Sequence, residues 1–130
     1  MNLLGKREPH IYGDQSFDAY FEKLQGEFSD TTLEYKQSNI EGELINYLQS
    51  LKGIDGVILN AGGYTHTSVA LADAIATVNV PVIEVHISNP AAREPYRHTS
   101  LMARYVKGSI AGFGLESYKL AIISLLNLKI

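Results

Sequence analysis

Two short apolar runs most narrowly limit how this chain can fold. "GVILN" (Gly56 to Asn60) is continuously apolar and only strand-length, and "VPVIEVHIS" (Val80 to Ser88) reads as another buried strand. Such a run suits a strand covered on both faces, the condition of a parallel sheet held between helices. The flanking patterns agree. Phe17, Tyr20, Phe21, Leu24 and Phe28 fall at helical spacing behind Ser16, which can cap a helix. Leu44, Ile45, Leu48 and Leu51 mark a second helix closed by Gly53. "HTSVALADAIATV" returns to helical spacing, and Leu115 to Lys129 reads as a last amphipathic helix. "TTLEYKQS" (Thr31 to Ser38) alternates like a half-buried strand, and "GSIAGF" (Gly108 to Phe113) is a shorter one.

Strand and helix thus alternate along the chain, which predicts an α/β three-layer fold with a parallel sheet. With 130 residues, 45% of them hydrophobic, one compact domain over 1–130 accounts for the chain. Right-handed crossovers place every strand's C-terminal end on one edge, where open parallel sheets bind ligands. A net charge of −3 offers no general attraction for nucleic acid or anionic membrane. No apolar run approaches a membrane span, so a cytoplasmic location is expected. The absence of cysteine removes thiol catalysis and thiolate metal sites.

Three clusters could carry chemistry. In "NAGGYTHTS" two glycines after a strand allow a tight turn and close backbone approach to a ligand, and a helix N-terminus follows. A glycine turn capped by Thr65 or Thr67, with His66 merely solvated, explains the same residues. In "EVHISNPAAREPYRH" Glu84 and His86 share one face of a strand, giving a histidine an orienting carboxylate, as general acids need. Arg93 and Arg97, four apart, suit an oxygen-rich anion. A structural histidine and a solvated helix face are the plain alternatives. No histidine pair has the i, i+4 spacing of a helical zinc site, so no metal is expected. In the opening loop, Arg7 could ease ionisation of Tyr12, whose phenolate costs roughly 4 kcal/mol at pH 7. On spacing alone, a surface salt-bridging arginine and a half-buried aromatic fit these two residues better.

Taken in order, "NLLGKREPHIYG", "QSNIEGELI", "NAGGYTHTSVALADA", "VPVIEVHISN" and "AREPYRHTS" resemble the type II 3-dehydroquinate dehydratases nearly end to end. The resemblance implies a flavodoxin-like sheet and a cofactor-free anti elimination of water from 3-dehydroquinate, giving 3-dehydroshikimate, in the shikimate or quinate pathway. It implies Tyr12 as base with Arg7 favouring its phenolate, and His86 as general acid oriented by Glu84. By the same resemblance Asn60, His66 and Arg97 bind substrate, the amides of Ile87 and Ser88 take its carboxylate, and Arg93 closes over the occupied site. Asp73 matches a residue that reaches a neighbouring subunit's pocket, in a homo-oligomer of trimers grouped into a dodecamer. A flavodoxin-like module that binds a small hydroxy acid is the competing reading. A phosphoryl receiver fits less well, because Asn60 and His86 stand where clustered aspartates are needed.

In that family a buried first strand and a Gly-Pro-Asn turn precede the first motif. The corresponding expectation is that about ten further residues, a strand plus a turn, precede Met1, and that without them the enzyme is weakened unless another segment fills the central strand position. The intact mass of the endogenous protein tests this.

Overall fold

A computed structural model describes residues 17–128. Its sheet has three parallel strands in the order β1 (Val57–Leu59), β2 (Val82–His86) and β3 (Gly108–Ala111). Val57 stands opposite Val82, and His86 opposite Ala111. The helices are α1 (Phe17–Glu27), α2 (Glu41–Gln49), α3 (Val69–Ala76) and α4 (Glu116–Leu126), with short 3-10 turns in the loops. Both apolar runs are strands, and the parallel α/β arrangement follows as the sequence predicts. Among the described residues no helix is long and apolar enough to cross a membrane.

The alternation of β2 side chains divides the core. Ile83 and Val85 pack with Ala121 of α4, while Val82 joins Leu48 of α2 and Leu71, Ala72, Ala74 and Ile75 of α3. Tyr20 and Leu24 of α1 pack with Ile87 and Ile122 on α4's side. Helices therefore cover both faces, as a central strand apolar on both sides requires. Glu84 shares Val82's face and is nonetheless buried, so it must find polar partners there.

Several local expectations change. The helix read through "HTSVALADAIATV" is split: Gly62–His66 form a 3-10 turn, and Ser68, not Thr65 or Thr67, caps α3 by accepting the Leu71 amide at 2.9 Å. Gly62, at φ 59°, makes the tight turn after Asn60. Helix α2 opens on Ser38, whose hydroxyl accepts the Ile40 amide and donates to Glu43. The proposed Ser16 cap lies outside the described residues.

Thr31–Ser38 is not a strand. Thr31, Leu33 and Tyr35 are half-buried between exposed neighbours, so the period of two is real over Thr31–Lys36. Alternation reports only that one face is covered, whereas a strand also needs a backbone ladder. No described strand lies alongside this segment. It is held instead by aromatic packing, Tyr35 lying 4.6 Å from the Phe17 ring. A cavity of about 170 Å³ beside it is lined by Leu33, Tyr35, Ile58, Leu59 and Asn60 among others. The first strand that the family resemblance leads one to expect precedes Met1 and lies outside the described residues.

Leu71 is fully buried where α3 meets the sheet. Leu71→Ala is expected to cost about 2–5 kcal/mol, read as a lowered urea midpoint with an unchanged denaturant slope.

Candidate active site

The C-terminal ends of β1 and β2 lie side by side, so the residues leaving them are gathered at one edge. Asn60 leaves β1, His66 follows on the 3-10 turn, and Glu84 and His86 end β2. Glu84 Oε2 meets His86 Nε2 at 2.5 Å. With Nε2 on the carboxylate, Nδ1 is the ring nitrogen that can address a substrate. The His66 ring stacks on His86 with centroids 6.3 Å apart. His66 Nδ1 is 2.7 Å from the Thr99 carbonyl, a contact that requires the proton on Nδ1 and leaves neutral His66 with Nε2 as an acceptor. His66 is thus built into the site rather than solvated.

Glu84 is 3% exposed, and two donors hold its ionised form. Its Oε1 accepts from Ser100 Oγ at 2.9 Å while Oε2 receives His86. Burial pushes the carboxyl up, but the hydrogen bonds from His86 and Ser100, with the nearby charge of His86 and His66, outweigh it and hold the carboxyl below its usual range. A carboxylate that only accepts is the partner an imidazolium needs.

Asn60 is oriented from both ends: its Nδ2 donates to Tyr118 Oη at 2.8 Å and its Oδ1 accepts the Gly62 amide at 3.1 Å. The carbonyls of His86 and Ile87 accept the Gly112 and Gly114 amides, which stitches the backbone of 86–88 to the turn before α4. The Arg93 guanidinium reaches Ser88 Oγ at 3.4 Å. Arg93 and Arg97, read from the sequence as a pair of cations for an anion, have Glu94 between them. Arg97 Nε donates to Glu94 at 2.8 Å and Arg93 Nε lies 3.8 Å from it. The hydrogen bonds from Arg97 and Tyr96 bring the Glu94 carboxyl down to about 2. Pro95 starts a 3-10 turn here, and three residues per turn return Arg97 to Glu94.

Asp73 is exposed on α3, whose other face carries buried Leu71, Ala72, Ala74 and Ile75. It joins none of the groups around His86. Arg7 and Tyr12 lie outside the described residues. Among those described, no three His, Asp or Glu side chains are placed to hold a metal ion. Tyr118, Ser100 and the Thr99 carbonyl are site components that the sequence analysis did not single out. Ser100 ends a quoted motif and so carried a faint signal. Tyr118 carried none, since it meets Asn60 across 58 residues of chain.

The family profile described as Dehydroquinase class II matches residues 1–126. The chain is 51% identical over 128 residues to a 3-dehydroquinate dehydratase of Exiguobacterium sp., covering 98% of this chain and 88% of that protein. It is 50% identical over 127 residues to the protein of that name from Azorhizobium caulinodans, covering 96% of this chain and 86% of the relative. Its fold is similar to the crystal structure of the type II dehydroquinase from Butyrivibrio crossotus, with a TM-score of 0.92 and 39% identity over 97% of this chain and 90% of that one.

The carboxyl of Glu84 lies below its ordinary 4.5 in the folded protein, so its stabilisation is fully present above that pH and fades as pH falls through the folded value. Glu84→Gln is expected to lose about 1–3 kcal/mol at neutral pH. Urea midpoints of variant and native protein are expected to converge as the solution is acidified.

Proposed function

The chain belongs to the class II dehydroquinase family, and we propose that it eliminates water from 3-dehydroquinate to give 3-dehydroshikimate with Tyr12 as base and His86 as acid. The observation that carries this division of labour is the buried Glu84 carboxylate on His86 Nε2, which leaves Nδ1 for the substrate. Tyr12, as phenolate favoured by Arg7, removes a proton from the carbon beside the ketone, and the electron pair passes into an enolate. Collapse of the enolate breaks the bond to the departing hydroxyl, which takes a proton from His86 and leaves as water. Glu84 stabilises the imidazolium before that transfer.

The remaining roles follow from the same reading. Asn60, His66 and Arg97 hold the substrate's oxygens, and the amides of Ile87 and Ser88 receive its carboxylate on a backbone already tied down through Gly112 and Gly114. Arg93 closes over the occupied site, and an arriving anion competes with Glu94 for both guanidiniums. Asp73, exposed beside the apolar face of α3, serves a neighbouring subunit's pocket within a dodecamer of trimers. The setting is cytoplasmic, and the reaction serves the shikimate or quinate pathway.

The direct test is ultraviolet detection of the conjugated enone after adding 3-dehydroquinate to the chain. Tyr12→Phe and His86→Ala are each expected to lose about 10²–10⁴ in turnover while remaining folded, and near-parental turnover in either variant would remove that role. For Asp73, chains carrying Asp73→Ala and chains carrying Tyr12→Phe are expected to regain activity when their subunits are exchanged. No recovery after verified exchange counts against a shared site.

A further inference from the structure

We propose that Ser100 is a positioning residue that aims the Glu84 carboxylate at His86. The inference rests on the reading of His86 as proton donor. A carboxylate at the end of a side chain turns over a broad torsional range, so contact with His86 alone does not fix its plane. Ser100 supplies the second point. Its Oγ accepts the Met102 amide at 3.2 Å, which leaves its own hydrogen for Glu84 Oε1 at 2.9 Å, and Oε2 is thereby presented to His86 Nε2. The chain of donors runs in one direction, from the backbone of fully buried Met102, through Ser100, to the carboxylate.

The segment carrying Ser100 is itself pinned to the site. The preceding carbonyl, of Thr99, receives His66 Nδ1, and the following amide, of Leu101, donates to the Thr65 carbonyl at 2.9 Å. Three successive residues therefore tie the turn after β1 to the end of β2. The titratable groups acting on Glu84 among the described residues are His86 on its own strand and His66 on that turn. Its register neighbours, Leu59 on β1 and Ser109 on β3, bring no charge. Ser100 is thus the uncharged donor in the set, and its removal withdraws a hydrogen bond from the carboxylate without altering the net charge.

Ser100→Ala is expected to lower kcat by about tenfold to a hundredfold, as loss of a hydrogen bond to a charged group does, with KM little changed because Ser100 makes no proposed substrate contact. With one stabilising donor gone, the Glu84 titration moves upward, and the acid limb of the kcat profile moves to higher pH with it. Ser100→Thr, which keeps the hydroxyl, restores both. Carbon-13 NMR of the glutamate carboxyls, with Glu84 assigned through Glu84→Gln, reads the titration without reference to turnover. If the chain does not dehydrate 3-dehydroquinate, the functional reading falls while the titration still decides the role of Ser100. A role in packing alone would leave the Glu84 midpoint in place. An unmoved midpoint in folded Ser100→Ala, or its kcat matching the native value, overturns the proposal. Should the alanine variant not fold, the near-isosteric pair Ser100→Thr and Ser100→Val gives the same comparison, and equal Glu84 midpoints in that pair overturn it too.

Discussion

A buried carboxylate at the end of the middle strand is the constraint to which the rest of the site answers. Glu84 is 3% exposed, on the strand face whose core cluster is made mainly of leucine, alanine, isoleucine and valine side chains with Met102. A charge in such surroundings is tolerated when hydrogen-bond donors meet both its oxygens. His86 and Ser100 meet them. The desolvation that would have favoured a neutral acid is outweighed, and the cost of burial is converted into a fixed, directional acceptor for an imidazole.

The parallel sheet makes this arrangement possible at a short reach. Because β1, β2 and β3 run in one direction, the loops that follow them emerge on the same edge, and the long return from β2 to β3 passes over that edge before descending. Residues 99–101 sit on this return. They bind the turn after β1 through Thr65 and His66 and the end of β2 through Glu84. Polar groups from two separate stretches of sequence are therefore held by one local segment, the kind of support that keeps a catalytic geometry from drifting.

The electrostatics of the arginine loop follow a different logic. Glu94 is exposed, yet Arg97 and Tyr96 hold its carboxyl at about 2, so it stays ionised under ordinary conditions. A solvent-screened contact of this kind is weak and exchangeable. It holds two guanidiniums, that of Arg93 within reach of Ser88, without committing them, whereas the Glu84 pair, shielded from water, is committed. The two carboxylates, ten residues apart in sequence, differ in consequence chiefly through burial.

The sequence alone determined the layer order. The apolarity of Val57–Leu59, and of Val82–Val85 apart from Glu84, demanded cover on both faces, and helical spacing on either side supplied it. The i, i+2 placement of Glu84 and His86 likewise followed from strand geometry before any coordinates, and the ordered motifs carried the family. Tertiary structure decided what local pattern cannot encode. Thr31–Ser38 has a strand's alternation without a ladder to any described strand, because a ladder is a property of two backbones. Asn60 is oriented by Tyr118, and Glu84 by Ser100, through contacts that close only when distant segments pack. The charges of Arg93 and Arg97 were visible in sequence, but their sharing of Glu94 depended on the 3-10 turn begun at Pro95. Periodicity is local and survives in one dimension; the partner of a polar side chain is set by the fold, because hydrogen bonds form between groups that are neighbours in space.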